Sequence, residues 1–185
     1  MSGQMSGQMN GQMCTMLIGA ALLAMSGGMA EAGQKVDLTK ATCEEFLGWS
    51  DTVQPRAVAW LDGYGKGGTV KPEAIGEIDV HREAETLVVA CKENPKKSLW
   101  DTIKAKLPAG KKKVKPAEMT CQEYVDVEKT VQPELLYFTD GYDLGAKPGT
   151  LTAREVDLEQ DVNVVVEDCK QAPKESFWAR VKKHL

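Results

Sequence analysis

Two stretches of this chain are copies of one another, and no other feature limits its fold so strongly. A shift of 78 residues aligns 42–107 with 120–185 without a gap, and about a third of the aligned positions are identical. The shared strings are Thr-Cys-x-Glu at Thr42 and Thr120, Thr-Val-Gln-Pro at Thr52 and Thr130, Asp-Gly-Tyr at Asp62 and Asp140, and Cys-Lys-x-x-Pro-Lys-x-Ser-x-Trp at Cys91 and Cys169. Each copy carries two cysteines at the same separation, Cys43 with Cys91 and Cys121 with Cys169. Four cysteines allow three connectivities. Because the pair itself is repeated, the economical pattern closes each copy on itself. A unit of about 66 residues buries little apolar surface unaided. A bridge across roughly 49 residues adds about 4 kcal/mol in the chain-entropy model, comparable to the whole stability of a small domain.

Disulfides require an oxidising compartment, and the first 32 residues agree with export. A Met/Gly/Gln/Ser repeat runs into the apolar stretch Met16 to Met25 and then into small residues ending Ala30-Glu31-Ala32. That profile reads as a cleaved signal peptide over 1–32, since about ten apolar residues are too few to span a bilayer. No Lys or Arg precedes the apolar run, a departure from the usual signal; the alternative is a buried N-terminal helix. Cys14 lies before the apolar stretch, so it does not suit a lipid attachment site.

Within each copy the pattern is helical, and the expected fold is all-α: two tandem four-helix modules, 33–107 and 118–185. Thr42-x-x-Glu45 and Thr120-x-x-Glu123 are capping-box patterns that start a short helix carrying the first cysteine. A second helix is expected from Gln54-Pro55 to Tyr64, with Gly65 as its stop. Val80, Ala84, Leu87, Val88 and Cys91 fall at helical spacing, matched by Leu158, Val162, Val165, Val166 and Cys169, and predict a third helix. A fourth is expected from Pro95 or Pro173. No stretch alternates convincingly as a strand. Residues 108–117, with two prolines and four lysines, read as a solvated spacer.

Composition excludes several functions. A net charge of −4 and 6% aromatic residues do not suggest nucleic-acid binding. The cysteines are too widely spaced, and His81 and His184 too isolated, for a zinc site, so neither metal nor cofactor is expected. There is no His-Glu-x-x-His, no phosphate-binding glycine loop after a strand, and no nucleophile with a partner pair, so catalysis is not expected. The other reading open to a stapled helical module is an interaction domain that binds one partner at neutral pH.

Thr42-Cys43-Glu44-Glu45-Phe46-Leu47, then Gln54-Pro55-x-Ala57-Val58, then Asp79-Val80 leading to Cys91, resemble the HdeA/HdeB family of acid-stress chaperones in order and spacing. The second copy has the same layout. The resemblance implies an all-helical periplasmic protein, paired near neutral pH, that acid dissociates and partly unfolds. The exposed apolar segments would then hold acid-denatured proteins without ATP. The client-contacting segments fall on Val53 through Trp60 and Ile78 through Val80, and on Val131 through Phe138 and Val156 through Leu158. The stripe Val58, Trp60 and Leu61, with Leu135, Leu136, Tyr137 and Phe138, reads either as core or as the contact between modules, pairing within one chain or between two.

Acid has a physical lever here. After Ala32 the chain holds 26 acidic and 23 basic residues, and full protonation of carboxylates and histidines leaves +25. Each carboxylate whose native pKa is depressed by about one unit contributes about 1.4 kcal/mol, present above its unfolded pKa and lost as pH falls through its folded one. About five such groups match a domain stability of ~7 kcal/mol. The candidates are the acids both copies share: Glu45 and Glu123, Asp62 and Asp140, Glu77 and Glu155, Asp79 and Asp157.

Overall fold

The computed structural model describes residues 35–67, 69–82, 84–147 and 155–184. The expected signal peptide lies outside the described residues. In chain order the elements are β1 (Lys35–Val36), α1 (Cys43–Gly48), α2 (Val53–Gly67), a 3-10 turn (Pro72–Ala74), β2 (Ile78–Arg82), α3 (Glu85–Glu93) and α4 (Leu99–Ala105). The second half gives β3 (Gly110–Val114), α5 (Cys121–Asp126), α6 (Val131–Gly145), β4 (Val156–Asp157), α7 (Asn163–Gln171) and α8 (Phe177–Val181). The protein is mostly helical, with each copy stapled by its own disulfide, Cys43–Cys91 and Cys121–Cys169.

Local chemistry accounts for the helix starts. Thr42 and Thr120 accept from the amides of Glu45 and Glu123, whose carboxylates accept from the threonine amides at 2.7 Å in both copies. The glutamine of the repeated Gln-Pro string is buried and joins consecutive helices: Gln54 Nε2 donates to the carbonyls of Phe46 and Trp49 at 3.2 and 3.1 Å. Gln132 does the same for Tyr124 and Val125 at 3.4 and 3.2 Å. Carbonyls at the ends of α1 and α5 gain partners this way, that of Phe46 in addition to the Trp49 amide.

Several boundaries differ from the sequence reading. The long helix passes Gly65 and ends at Gly67. Val80 belongs to β2 rather than α3, and Leu158 follows β4 rather than starting α7. The fourth helices start after Ser98 and Ser176, whose hydroxyls accept from the amides of Asp101 and Ala179. The largest correction concerns 108–117. It is not a free spacer: β3 pairs antiparallel with β2, Ile78 opposite Val114, Asp79 opposite Lys113 and Val80 opposite Lys112. At the symmetry-related place β1 pairs with β4, Lys35 opposite Asp157 and Val36 opposite Val156. The strands are not legible because β3 has three consecutive lysines and thus no alternation, and because each strand's partner lies outside its own module.

Neither core is drawn from one copy alone. One gathers Phe46, Trp60, Leu61, Leu87 and Leu99 of the first copy with Tyr137, Val156 and Leu158 of the second. The other gathers Tyr124, Leu135, Phe138, Val165 and Phe177 of the second with Ala59, Ile75, Ile78 and Val80 of the first. The segment between the second and third helices of each copy crosses over to complete its neighbour.

Candidate functional site: the interface between the two copies

α2 and α6 form the contact between copies, running in the same direction where they touch. Four glycines let their backbones meet. A Cβ on Gly63 would lie 2.0 Å from the Phe138 carbonyl oxygen, and one on Gly141 would lie 2.0 Å from that of Trp60. One turn on, Gly67 and Gly145 stand in the same relation to Tyr142 and Tyr64, at 2.1 and 2.2 Å. Each helix thus presents glycines four apart, on one face, to the other. The spacing is visible in the sequence, where Gly65, between Gly63 and Gly67, reads as a helix stop.

All thirteen apolar residues assigned from the sequence to client binding or module contact are buried. Val53, Val58, Trp60, Leu61, Tyr137, Val156 and Leu158 lie in one core. Ile78, Val80, Val131, Leu135, Leu136 and Phe138 lie in the other.

The eight shared acids divide into four kinds of place. Asp62 and Asp140, each 7% exposed, lie on the contacting helices. Lys66 donates to Asp62 from one turn on, and the Trp60 indole Nε1 donates to Asp140 Oδ2 at 2.8 Å, a bond between copies. Asp79 and Asp157 are half-buried in the strand pairs, opposite Lys113 and Lys35. Glu45 and Glu123 are exposed cap residues, and hydrogen bonds from the Thr120 amide and hydroxyl hold Glu123 below its ordinary pKa. Glu77 and Glu155 are exposed, and no structural feature described above draws on them.

The two halves are not equivalent. Arg56 on α2 donates to the Leu158 carbonyl at 2.8 Å, pinning the crossing segment of the second copy, and lies 6.0 Å from the Tyr137 ring centre. The Tyr137 hydroxyl donates to the Asp157 carbonyl at 2.7 Å; burial pushes its pKa up to about 12. The counterpart of the half-buried Arg56 is Glu134, which is buried.

Selecting shared acids passed over two groups found only in the second copy. Asp143, on α6, is 8% exposed. Burial alone would raise its pKa, but hydrogen bonds and charge from Lys147 and Lys182 hold it below the ordinary value. Asp168 is lowered first by the His184 hydrogen bond, against some desolvation, with Arg180 adding to the effect. Arg180 bridges Asp168 and Glu175, at 2.9 Å each. Among the described residues no group of three or more His, Cys, Asp or Glu could hold a metal ion, and no helix is long and apolar enough to cross a membrane.

These features define a class: a single-chain pseudo-dimer of disulfide-stapled helical units, with its apolar segments closed against each other and acidic groups at the closure. Comparison with known proteins gives the family. The HdeA/HdeB family model matches twice, over residues 13–101 and 104–179, and the chain belongs to that family as a tandem duplication. Proteins of Brucella canis, Brucella suis and Brucella abortus, each named "Probable acid stress chaperone HdeA", are 35% identical over 101 residues. The match covers 50% of this chain and 89% of each relative, so one unit there corresponds to two here. No solved structure matches. Membership sets the chain among acid-stress chaperones rather than enzymes.

Proposed function

We propose that this protein is an acid-activated, ATP-independent holdase of the periplasm, in which low pH opens the contact between the two copies and frees the buried segments to hold acid-denatured proteins. The observation that carries this reading is the closure itself. The thirteen apolar residues that would hold clients are all buried, in cores that draw on both copies, so these segments reach clients only when the copies part. On the contacting helices, Asp140 accepts the bond from Trp60 of the other copy. Asp143, its pKa depressed by Lys147 and Lys182, ties α6 to its own copy and would release that tie in acid. Asp62, Asp79 and Asp157 stand beside the same contact. Both disulfides join helices within a copy, so opening would separate two stapled units rather than release one long chain.

Because the copies are tethered, opening is intramolecular and its midpoint should not move with protein concentration. The reading is tested with disulfide-bonded protein and an unrelated acid-labile enzyme, following light scattering at pH 7, 4 and 2 and enzyme activity after neutralisation. Suppressed scattering in acid alone, with activity regained, is expected. Tight binding of one partner at pH 7 without acid protection would instead identify an interaction module.

A further inference from the structure

Residues 104–115 read Lys-Ala-Lys-Leu-Pro-Ala-Gly-Lys-Lys-Lys-Val-Lys: six lysines and no acid. The whole chain is net −4, so outside this strip acidic residues outnumber basic ones by ten. Pairing with β2 fixes this composition in place: Lys111 and Lys113 stand on one face of a held strand and Lys112 on the other, all three exposed, rather than on a loose tether. Leu107, 40% exposed, stands between the two lysine groups.

Carboxylates from four neighbouring segments face this strip. Lys104 pairs with Asp101 of α4 at 2.7 Å, Lys112 with Glu128 ahead of α6 at 3.6 Å, and Lys115 with Glu118 ahead of α5 at 3.3 Å. Lys113 lies opposite Asp79 of β2. At neutral pH much of the positive charge is therefore answered locally.

We propose that the strip docks on anionic phospholipid headgroups, and that docking strengthens in acid because the lysines keep their charge while the facing carboxylates lose theirs. A lipid phosphodiester stays ionised well below the range in which carboxylates titrate, near pH 4, so attraction grows as masking fades. The exposed leucine among lysine stems suits the boundary between headgroups and acyl chains. The strip has no aromatic residue on which bases could stack, which argues against single-stranded nucleic acid. None of this depends on the chaperone reading, and the test needs no client.

The test is flotation of the disulfide-bonded protein with vesicles of phosphatidylcholine alone or mixed with phosphatidylglycerol, at pH 7 and about 3.5 and at low and high salt, with circular dichroism confirming the fold. Binding only to the mixed vesicles, stronger in acid and weakened by salt, is expected. The triple variant K111Q/K112Q/K113Q should bind on the order of a hundredfold more weakly, as each lysine near such a surface is worth about fivefold. The control K170Q/K174Q/K183Q has the same net charge and should lose only a few-fold. Equal losses in the two variants, equal binding to neutral vesicles, or no binding in acid would overturn the proposal. So would equally tight binding to polyphosphate that L107Q leaves unchanged, which would mark a general polyanion site.

Discussion

Replacing Gly63 and Gly141 by alanine sets two effects of opposite sign against each other. In an ordinary exposed helix, each glycine-to-alanine change stabilises by up to about 1 kcal/mol. Here each new methyl would lie 2.0 Å from a carbonyl oxygen of the facing helix, whereas ordinary contact begins near 3.4 Å. The obstruction is backbone, so no side chain can turn aside, and the helices must part by more than about 1 Å. Overpacking typically costs 1–3 kcal/mol per site, and separation also loosens the Trp60–Asp140 bond. A net loss of ~2 kcal/mol or more is expected for the pair after the propensity gain. If opening takes up about three protons, that loss raises the acid midpoint by ~0.5 pH unit, since each proton contributes 1.4 kcal/mol per unit. Urea denaturation at pH 7 and an acid titration followed by tryptophan fluorescence would measure both. A variant more stable than the parent, with an unmoved or lower midpoint, would show that α2 and α6 do not meet at these glycines.

W60F removes the indole donor to Asp140 and should cost about 1–3 kcal/mol, read as earlier opening in the same titration. D143N should lower stability at pH 7 by roughly 1 kcal/mol, a figure kept small because Lys147 and Lys182 are half exposed. The native pKa of Asp143 is depressed, so its contribution is present above about 3.8 and lost as pH falls further; the stability gap between parent and D143N should therefore narrow below pH 4. Reducing both disulfides should remove about 4 kcal/mol per copy in the chain-entropy model, measurable as a lower urea midpoint with and without reductant. Finally, R56Q loses its bond to the Leu158 carbonyl and should increase amide hydrogen exchange around 156–158 more than around 78–80.

How much of this was legible in the sequence depended on how local the determining contacts are. Thr42 and Glu45 speak to each other across three residues, and the caps were read correctly in both copies. The cysteine pairs are distant in sequence, but duplication supplied the missing information. β3 was not legible, because its lysines carry no alternation and its partner lies outside its own module. Val80 misled for a related reason: it lies four residues before Ala84, as a helix would require, yet it is turned toward the second core as part of a strand. At the candidate site, Asp62 and Asp140 stand out because both copies retain them, and they lie on the contacting helices, whereas Asp143 escapes the same criterion. Its two lysine partners follow it in the second copy, and its counterpart in the first is Gly65.

The crossing of segments between cores also bears on how such a chain can change over time. In a symmetric pair of identical chains every substitution enters the interface twice and must suit itself on both sides. Once the two halves are written separately in one gene, each position can be altered alone. Trp60 can keep a carboxylate partner while its counterpart Phe138 makes no such bond, and Arg56 can secure Leu158 while Glu134 stands at the matching place. Yet Ile78 and Val80 remain answerable to the core they enter, so each half is selected partly for the stability of the other.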